Sequence, residues 1–242
     1  MNVLVFDTDD KLNEAGANII SGIVQTSPRA VLGLATGGTP IGIYRQLAAD
    51  FERGMFSFRN AVTFNLDEYV GLPEDHPESY HSYMRHHLFR HIDLPDAQAH
   101  LPNGNAADPR AECRRYDELI ERHGQIDLQL LGLGHNGHIG FNEPAHALTK
   151  GTHVVELAEA TRKANARYFL SLDEVPCQAI TMGVGTILKA KKILLVVKGA
   201  DKADIVAKAL QGPITTDCPA SLLQTHPNLI VLLDRAAAEK LG

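Results

Sequence analysis

Short, nearly unbroken apolar runs recur along this chain, each followed by a longer amphipathic stretch, and that alternation limits the fold more than any other feature. Residues 3–6, 30–35, 61–66, 126–132, 179–182, 193–197 and 229–233 read as strands. A strand covered on both faces needs apolar side chains at successive positions, not only at alternate ones. Residues 8–25, 41–53, 79–90, 109–123, 159–170 and 202–210 carry helical patterns between them. Strand–helix–strand repetition implies parallel pairing, so the expected fold is α/β, an open, mostly parallel sheet with helices on both faces. No internal repeat or compositional break marks a boundary, and one domain over residues 1–242 is expected. Residues 93–108, with two prolines and an Asn103-Gly104 turn signal, read as a long surface loop.

Charge and cysteine usage narrow the class. Lys and Arg number 23 against 29 Asp and Glu, a formal net charge of -6. A dedicated nucleic-acid binder shows a basic excess, so none is expected as a partner. Cys113, Cys177 and Cys218 lie far apart with no C-x-x-C spacing, and read as thiols in a reducing compartment. The first ten residues lack a basic leader region, and no apolar run approaches the roughly eighteen residues of a membrane span. A cytoplasmic globular protein with no membrane partner is the expectation.

Open parallel sheets bind ligands beyond the carboxyl ends of their strands, so chemistry is sought in the residues that follow each one. After the second strand, Gly37 and Gly38 let backbone amides approach a ligand, Thr39 can cap a helix, and Pro40 suits its first position. Free amides at a helix start can hold a phosphate, although an ordinary strand-to-helix turn reads the same way. No Gly-Lys-Ser/Thr follows, which excludes a Walker A loop. After the third strand, Asp67 could serve as a base if desolvation raises its pKa. Taken alone, an Asp67-Glu68 pair reads better as helix-capping or loop acids.

Gly132, Gly134 and Gly137 match G-x-G-x-x-G by spacing, yet Gly140 and Pro144 follow so closely that no helix is expected and a dinucleotide site is rejected. What remains is a glycine-rich loop carrying His138 and Glu143, an imidazole and an orienting carboxylate suited to acid–base catalysis. A satisfied loop histidine is the bland alternative. Arg162, Lys163, Arg167 and Lys202 are ordinary solvated charges unless Arg167 and Lys202 converge on residues 36–39. His87 with His91, and His135 with His138, have no evident third ligand, so no metal is expected.

Together, Ala35-Thr-Gly-Gly-Thr-Pro40, Phe64-Asn-Leu-Asp-Glu-Tyr69, the segment 133–144 (LGHNGHIGFNEP), Thr161-Arg-Lys-Ala-Asn-Ala-Arg167 and Thr181-Met-Gly-Val-Gly-Thr186 closely resemble the glucosamine-6-phosphate deaminases, in order and over nearly the whole chain. The resemblance implies a modified Rossmann-like fold, a small-molecule sugar-phosphate substrate, no cofactor, and conversion of glucosamine 6-phosphate and water into fructose 6-phosphate and ammonium. It implies that Asp67 moves the C2 proton toward C1 and that His138 assists ring opening. Glu143 then orients His138 and tunes its proton affinity. Asn136, an aspartate in some members, joins the ring-opening group without a charge. Gly37, Gly38, Thr39, Arg167 and Lys202 are implied phosphate ligands. Allosteric hexameric members carry basic residues at positions matching His153 and Val155, and this chain also ends earlier than they do. The expectation is therefore a monomer or small homo-oligomer without that activation.

Two competing readings have their own signatures. A 6-phosphogluconolactonase shares the fold and the phosphate loop but has no proton to move between carbons, so it has no use for Asp67 within NLDEY. A sugar-phosphate sensor predicts a basic DNA-binding module, and no segment of the chain reads as one.

Overall fold

The computed structural model describes all residues except Arg167, Tyr168 and Leu170. A seven-stranded sheet forms its centre, in the order β1-β10-β9-β6-β2-β3-β5. These strands are β1 (Asn2–Phe6), β2 (Val31–Leu34), β3 (Val62–Asn65), β5 (Ala99–His100), β6 (Leu128–Leu131), β9 (Ile193–Val197) and β10 (Leu229–Asp234). Every pairing among them is parallel. β2, β3, β6 and β9 are buried at every position, as their unbroken apolar runs require. Helices surround the sheet: α1 (Asp9–Thr26), α2 (Ile41–Glu52), α3 (Tyr80–His87), α4 (Pro109–His123), α5 (Glu159–Asn165), α6 (Val184–Leu188) and α7 (Ala203–Gln211). No helix among the described residues is long and apolar enough to cross a membrane.

The strand order reverses between β2 and β6. From β2 the chain moves outward through β3 to β5, and from β6 it moves the other way through β9 to β10. Loops leaving β2 and β6 at their carboxyl ends therefore diverge and open a crevice, where ligands of such sheets bind. Three of the recognised segments follow β2, β3 and β6, so the topology alone gathers them there.

Four sequence-based expectations need correction. The run at 179–182 is not in the main sheet: β8 (Gln178–Thr181) lies between β4 (Asp67–Tyr69) and β7 (His153–Glu156) in a separate antiparallel sheet. Its burial comes from bridging two clusters, with Ala179 beside Tyr69, Phe141 and Leu157 and Met182 in the main core. An apolar run reports burial on both faces but not which sheet supplies it. Residues 93–108 are not simply a surface loop, because β5 forms the sheet edge and Leu94, Leu101 and Gly104 are buried. Thr39 does not cap α2: Pro40 occupies that place with helical backbone angles, and no side chain caps the helix. The helix expected over 79–90 stops at His87, where Leu88 leaves helical angles before a short 3₁₀ turn, Phe89–His91.

Candidate active site

A cleft of about 290 Å³ opens at the carboxyl ends of β2, β3 and β6. Gly37, Gly38, Thr39, Asp67, Asn136, His138 and Lys202 all line it, so most of the expected site residues come together. Glu143 stands directly behind, bonded to His138 and Asn136. Arg167, expected on the phosphate, lies outside the described residues. A larger groove of about 850 Å³ lies elsewhere, bordered by Ile126, Lys191 and Asn228 just before β6, β9 and β10. Those are the amino ends of the strands, and none of the expected acid–base groups is there.

Asp67 is the first residue of β4, two residues beyond the end of β3, and is almost fully buried. Loss of water around it, reinforced by the charge of Glu68, pushes its pKa up to about 8. A carboxyl poised there can accept and return a proton near neutral pH, whereas an ordinary aspartate is too weak a base. Gly140 keeps the space beside it open, since a Cβ there would sit 3.5 Å from Asp67 Oδ2 and 3.0 Å from Thr181 Oγ1.

His138 is held from two directions. Its Nδ1 lies 3.3 Å from Glu143 Oε2, and its backbone N–H donates to Asn136 Oδ1 at 3.2 Å. Gly137, with φ +90°, makes the turn just before it that a side chain would resist. Asn136 does not meet the imidazole; its Nδ2 donates to Glu143 Oε2 at 2.5 Å. Thr161 Oγ1 donates to the other oxygen of Glu143, also at 2.5 Å. Burial alone would raise the Glu143 pKa, but the His138 contact and these two donors outweigh it and bring the carboxyl down to about 2. Glu143 is therefore a permanent anion behind the ring.

Gly134 leaves the room that His138 occupies, as a Cβ at that position would lie 2.3 Å from the ring atoms Cε1 and Nε2. Gly134→Ala forces the imidazole to move while removing no polar group from the site. We expect turnover to fall by about 10²-fold, the cost of misplacing a catalytic group by an ångström, with Tm changed little. Steady-state kinetics alongside thermal melting checks this.

Lys202 Nζ donates to the carbonyl of Leu133 at 2.7 Å, and Lys202 lines the same cleft as residues 37–39. Arg162 and Lys163 turn elsewhere: Arg162 donates to the carbonyls of Leu172 and Val175, and Lys163 pairs with Glu159 on the surface. Among the described residues no group of three or more His, Cys, Asp or Glu is placed to hold a metal.

Residues 7–231 match the family model described as glucosamine-6-phosphate isomerases/6-phosphogluconolactonase. The chain belongs to that family. A glucosamine-6-phosphate deaminase of Geobacillus sp. (strain WCH70) is 54% identical, covering 94% of this chain and 91% of its relative. Glucosamine-6-phosphate deaminase 1 of Bacillus subtilis is 52% identical over 98% of both chains. A solved monomeric glucosamine-6-phosphate deaminase superposes with a TM-score of 0.97 at 51% identity, covering 99% of this chain and 100% of its own. The 6-phosphogluconolactonase of Trypanosoma brucei, at 22% identity and a TM-score of 0.76, shares the fold.

Within this family framework the structure adds groups that sequence reading passed over. Thr161 and Asn165 reach in from α5, Thr161 to Glu143 and Asn165 to the Tyr69 hydroxyl at 2.9 Å. Tyr80, on α3, lines the cleft and its hydroxyl bonds with the side chains of Tyr69 and Thr36. No spacing in the sequence announces these contacts, because each joins segments far apart in the chain. The only available signal was that Thr161 and Asn165 fall inside one of the resembling segments.

Proposed function

We propose that this protein is a glucosamine-6-phosphate deaminase, converting glucosamine 6-phosphate and water into fructose 6-phosphate and ammonium. One observation carries the reading: a buried carboxyl with its pKa near neutrality shares a cleft with an imidazole–carboxylate pair and a glycine-rich anion cradle. Moving a proton between adjacent carbons needs the first, and opening a sugar ring needs the second. The two close relatives named above are deaminases by name.

In this reading the amides around Gly37, Gly38 and Thr39, with Lys202 and Arg167, hold the phosphate and place the sugar. His138, oriented by Glu143, protonates the ring oxygen as the pyranose opens. Asn136 and Thr161 keep Glu143 ionised and correctly turned. Asp67 takes the proton from C2, giving an enolamine, and returns it to C1. The resulting C2 imine takes up water and releases ammonium. No cofactor has a part in these steps, which only move protons and add water.

Incubating the protein with glucosamine 6-phosphate should release ammonium and fructose 6-phosphate in equal amounts. Acid release from 6-phosphogluconolactone without either product overturns the reading in favour of the lactonase. Because Asp67 must be ionised to accept the C2 proton, kcat/KM should climb about tenfold per pH unit below about pH 8. The protein acts as a monomer in the cytoplasm in this reading. The monomeric relative at a TM-score of 0.97 supports the first point, and three free cysteines, Cys177 among them exposed, suit a reducing compartment. His153 and Val155 lie on β7, and neither is a lysine or arginine. Rates should therefore stay hyperbolic in substrate and indifferent to N-acetylglucosamine 6-phosphate.

A further inference from the structure

Glu68, the neighbour of Asp67, is buried to 1% exposure and faces away from the cleft. Its carboxylate is not idle. Oε1 accepts from the backbone N–H of Tyr69 at 2.8 Å and of Tyr80 at 3.0 Å. Oε2 accepts from the backbone N–H of His81 at 3.1 Å and lies 2.8 Å from His81 Nδ1. Tyr80 and His81 are the first two residues of α3, and Ser79 Oγ accepts from the third, Ser82 N, at 3.0 Å. The start of α3 is therefore closed by Glu68 and Ser79 together, with a negative charge at the positive end of the helix.

That helix reaches back to the phosphate-facing loop. The Tyr83 hydroxyl donates to the carbonyl of Gly37 at 2.6 Å, and the Tyr80 hydroxyl bonds with Thr36. One continuous set of bonds thus runs from β4, through Glu68 and α3, to residues 36 and 37. Both ends of the cleft are joined by it.

We propose that Glu68 is a positioning residue, locking the strand that carries Asp67 to the helix that carries Tyr80 and Tyr83 and so to the phosphate-facing loop at Gly37. The inference rests on the deaminase reading for the roles of the two ends. Its physical sense is that a bound sugar phosphate is fixed at one end and reacts at the other, so their separation must be rigid. Glu68 also adds to the basicity of Asp67: after burial, its charge is the second cause of the raised pKa. Among the other groups around Asp67, Tyr69, Tyr80 and Tyr116 all have pKa values pushed upward and stay protonated through neutrality. His138 lies in the same cleft, and His81 and Glu74 lie on the far side of Glu68.

Three variants separate the two contributions. Glu68→Gln removes the charge and keeps an oxygen for the helix amides. The acidic limb of kcat/KM should shift to lower pH by about one unit, a change that a purely structural role would not produce. Glu68→Asp keeps the charge and shortens the reach. Its limb should stay in place while inorganic phosphate, titrated calorimetrically, binds at least about fivefold more weakly. Tyr83→Phe removes only the hydroxyl that meets Gly37, leaves Glu68 intact, and should weaken phosphate to a similar degree. Phosphate affinity within twofold of wild type in either Glu68→Asp or Tyr83→Phe, or an unmoved limb in Glu68→Gln, overturns the proposal. If either Glu68 variant fails to fold, Tyr83→Phe decides. If wild-type protein releases no ammonium from glucosamine 6-phosphate, the deaminase reading fails, and the phosphate titrations still decide the linkage.

Discussion

Asp67→Asn is expected to lower kcat by about 10³-fold or more, since the side chain can no longer carry a proton between C2 and C1. Substrate binding should survive, because Asn has the same shape and the phosphate is held elsewhere. Exchange of the C2 hydrogen with deuterated solvent is the decisive readout: exchange retained at the wild-type rate removes Asp67 from the role. The same variant should be more stable than wild type. In the unfolded chain Asp67 loses its proton near pH 3.8, but in the folded protein it holds that proton up to about 8. Between those values the native state binds more protons than the unfolded state, so wild-type stability falls as pH rises through that window. Asn does not titrate and escapes the loss. The stability advantage of Asp67→Asn should be small at pH 4 and grow until about pH 8, reaching the order of a few kcal/mol. Melting curves across that range check it, and an advantage that shrinks with pH contradicts the assigned burial of the charge. Catalysis and stability are opposed at this residue, because the desolvation that makes it a useful base also makes its charged form costly.

His138→Gln is the second large effect. Glutamine can still reach the Glu143 carboxylate through its amide but cannot deliver a proton to the ring oxygen. Turnover of the cyclic substrate should fall by about 10²- to 10⁴-fold with little change in KM. The contrast with Asp67→Asn lies in the proton exchange. Any substrate that opens spontaneously still meets an intact Asp67, so the remaining turnover and C2 exchange should fall together in His138→Gln. Exchange that persists at the wild-type rate while product formation stops places His138 after ring opening and rejects the assignment.

Much of this site is legible in the sequence. Residues that follow strand ends lie at the ligand crevice of a parallel sheet, so position marked Gly37, Gly38, Asp67 and His138 as candidates, while their roles came only from the family resemblance. The bland reading of Asp67-Glu68 as capping acids proved right for one of the two. Successive residues of a strand face opposite ways, so Asp67 turns into the cleft while Glu68 turns toward α3 and caps it. Thr39 was misread as a cap because the helix begins one residue later than Pro40 suggested. Asn136, grouped with His138 and Glu143 by the resemblance, donates to Glu143 and accepts from the His138 backbone.

The alternation of buried strands with helices, the parallel character of the main sheet and the residue types offered at each strand end follow from the order of amino acids. These are local properties, set by side-chain periodicity and by where glycine and proline interrupt it. Long-range packing is what makes β4, β7 and β8 a sheet of their own, brings Thr161 and Asn165 to Glu143 and Tyr69, and sets Glu68 at the start of α3. Each of those facts joins residues separated by ten to more than a hundred positions, roughly. Such contacts depend on how whole elements pack, and a pattern read within one segment contains no information about the partner that will face it.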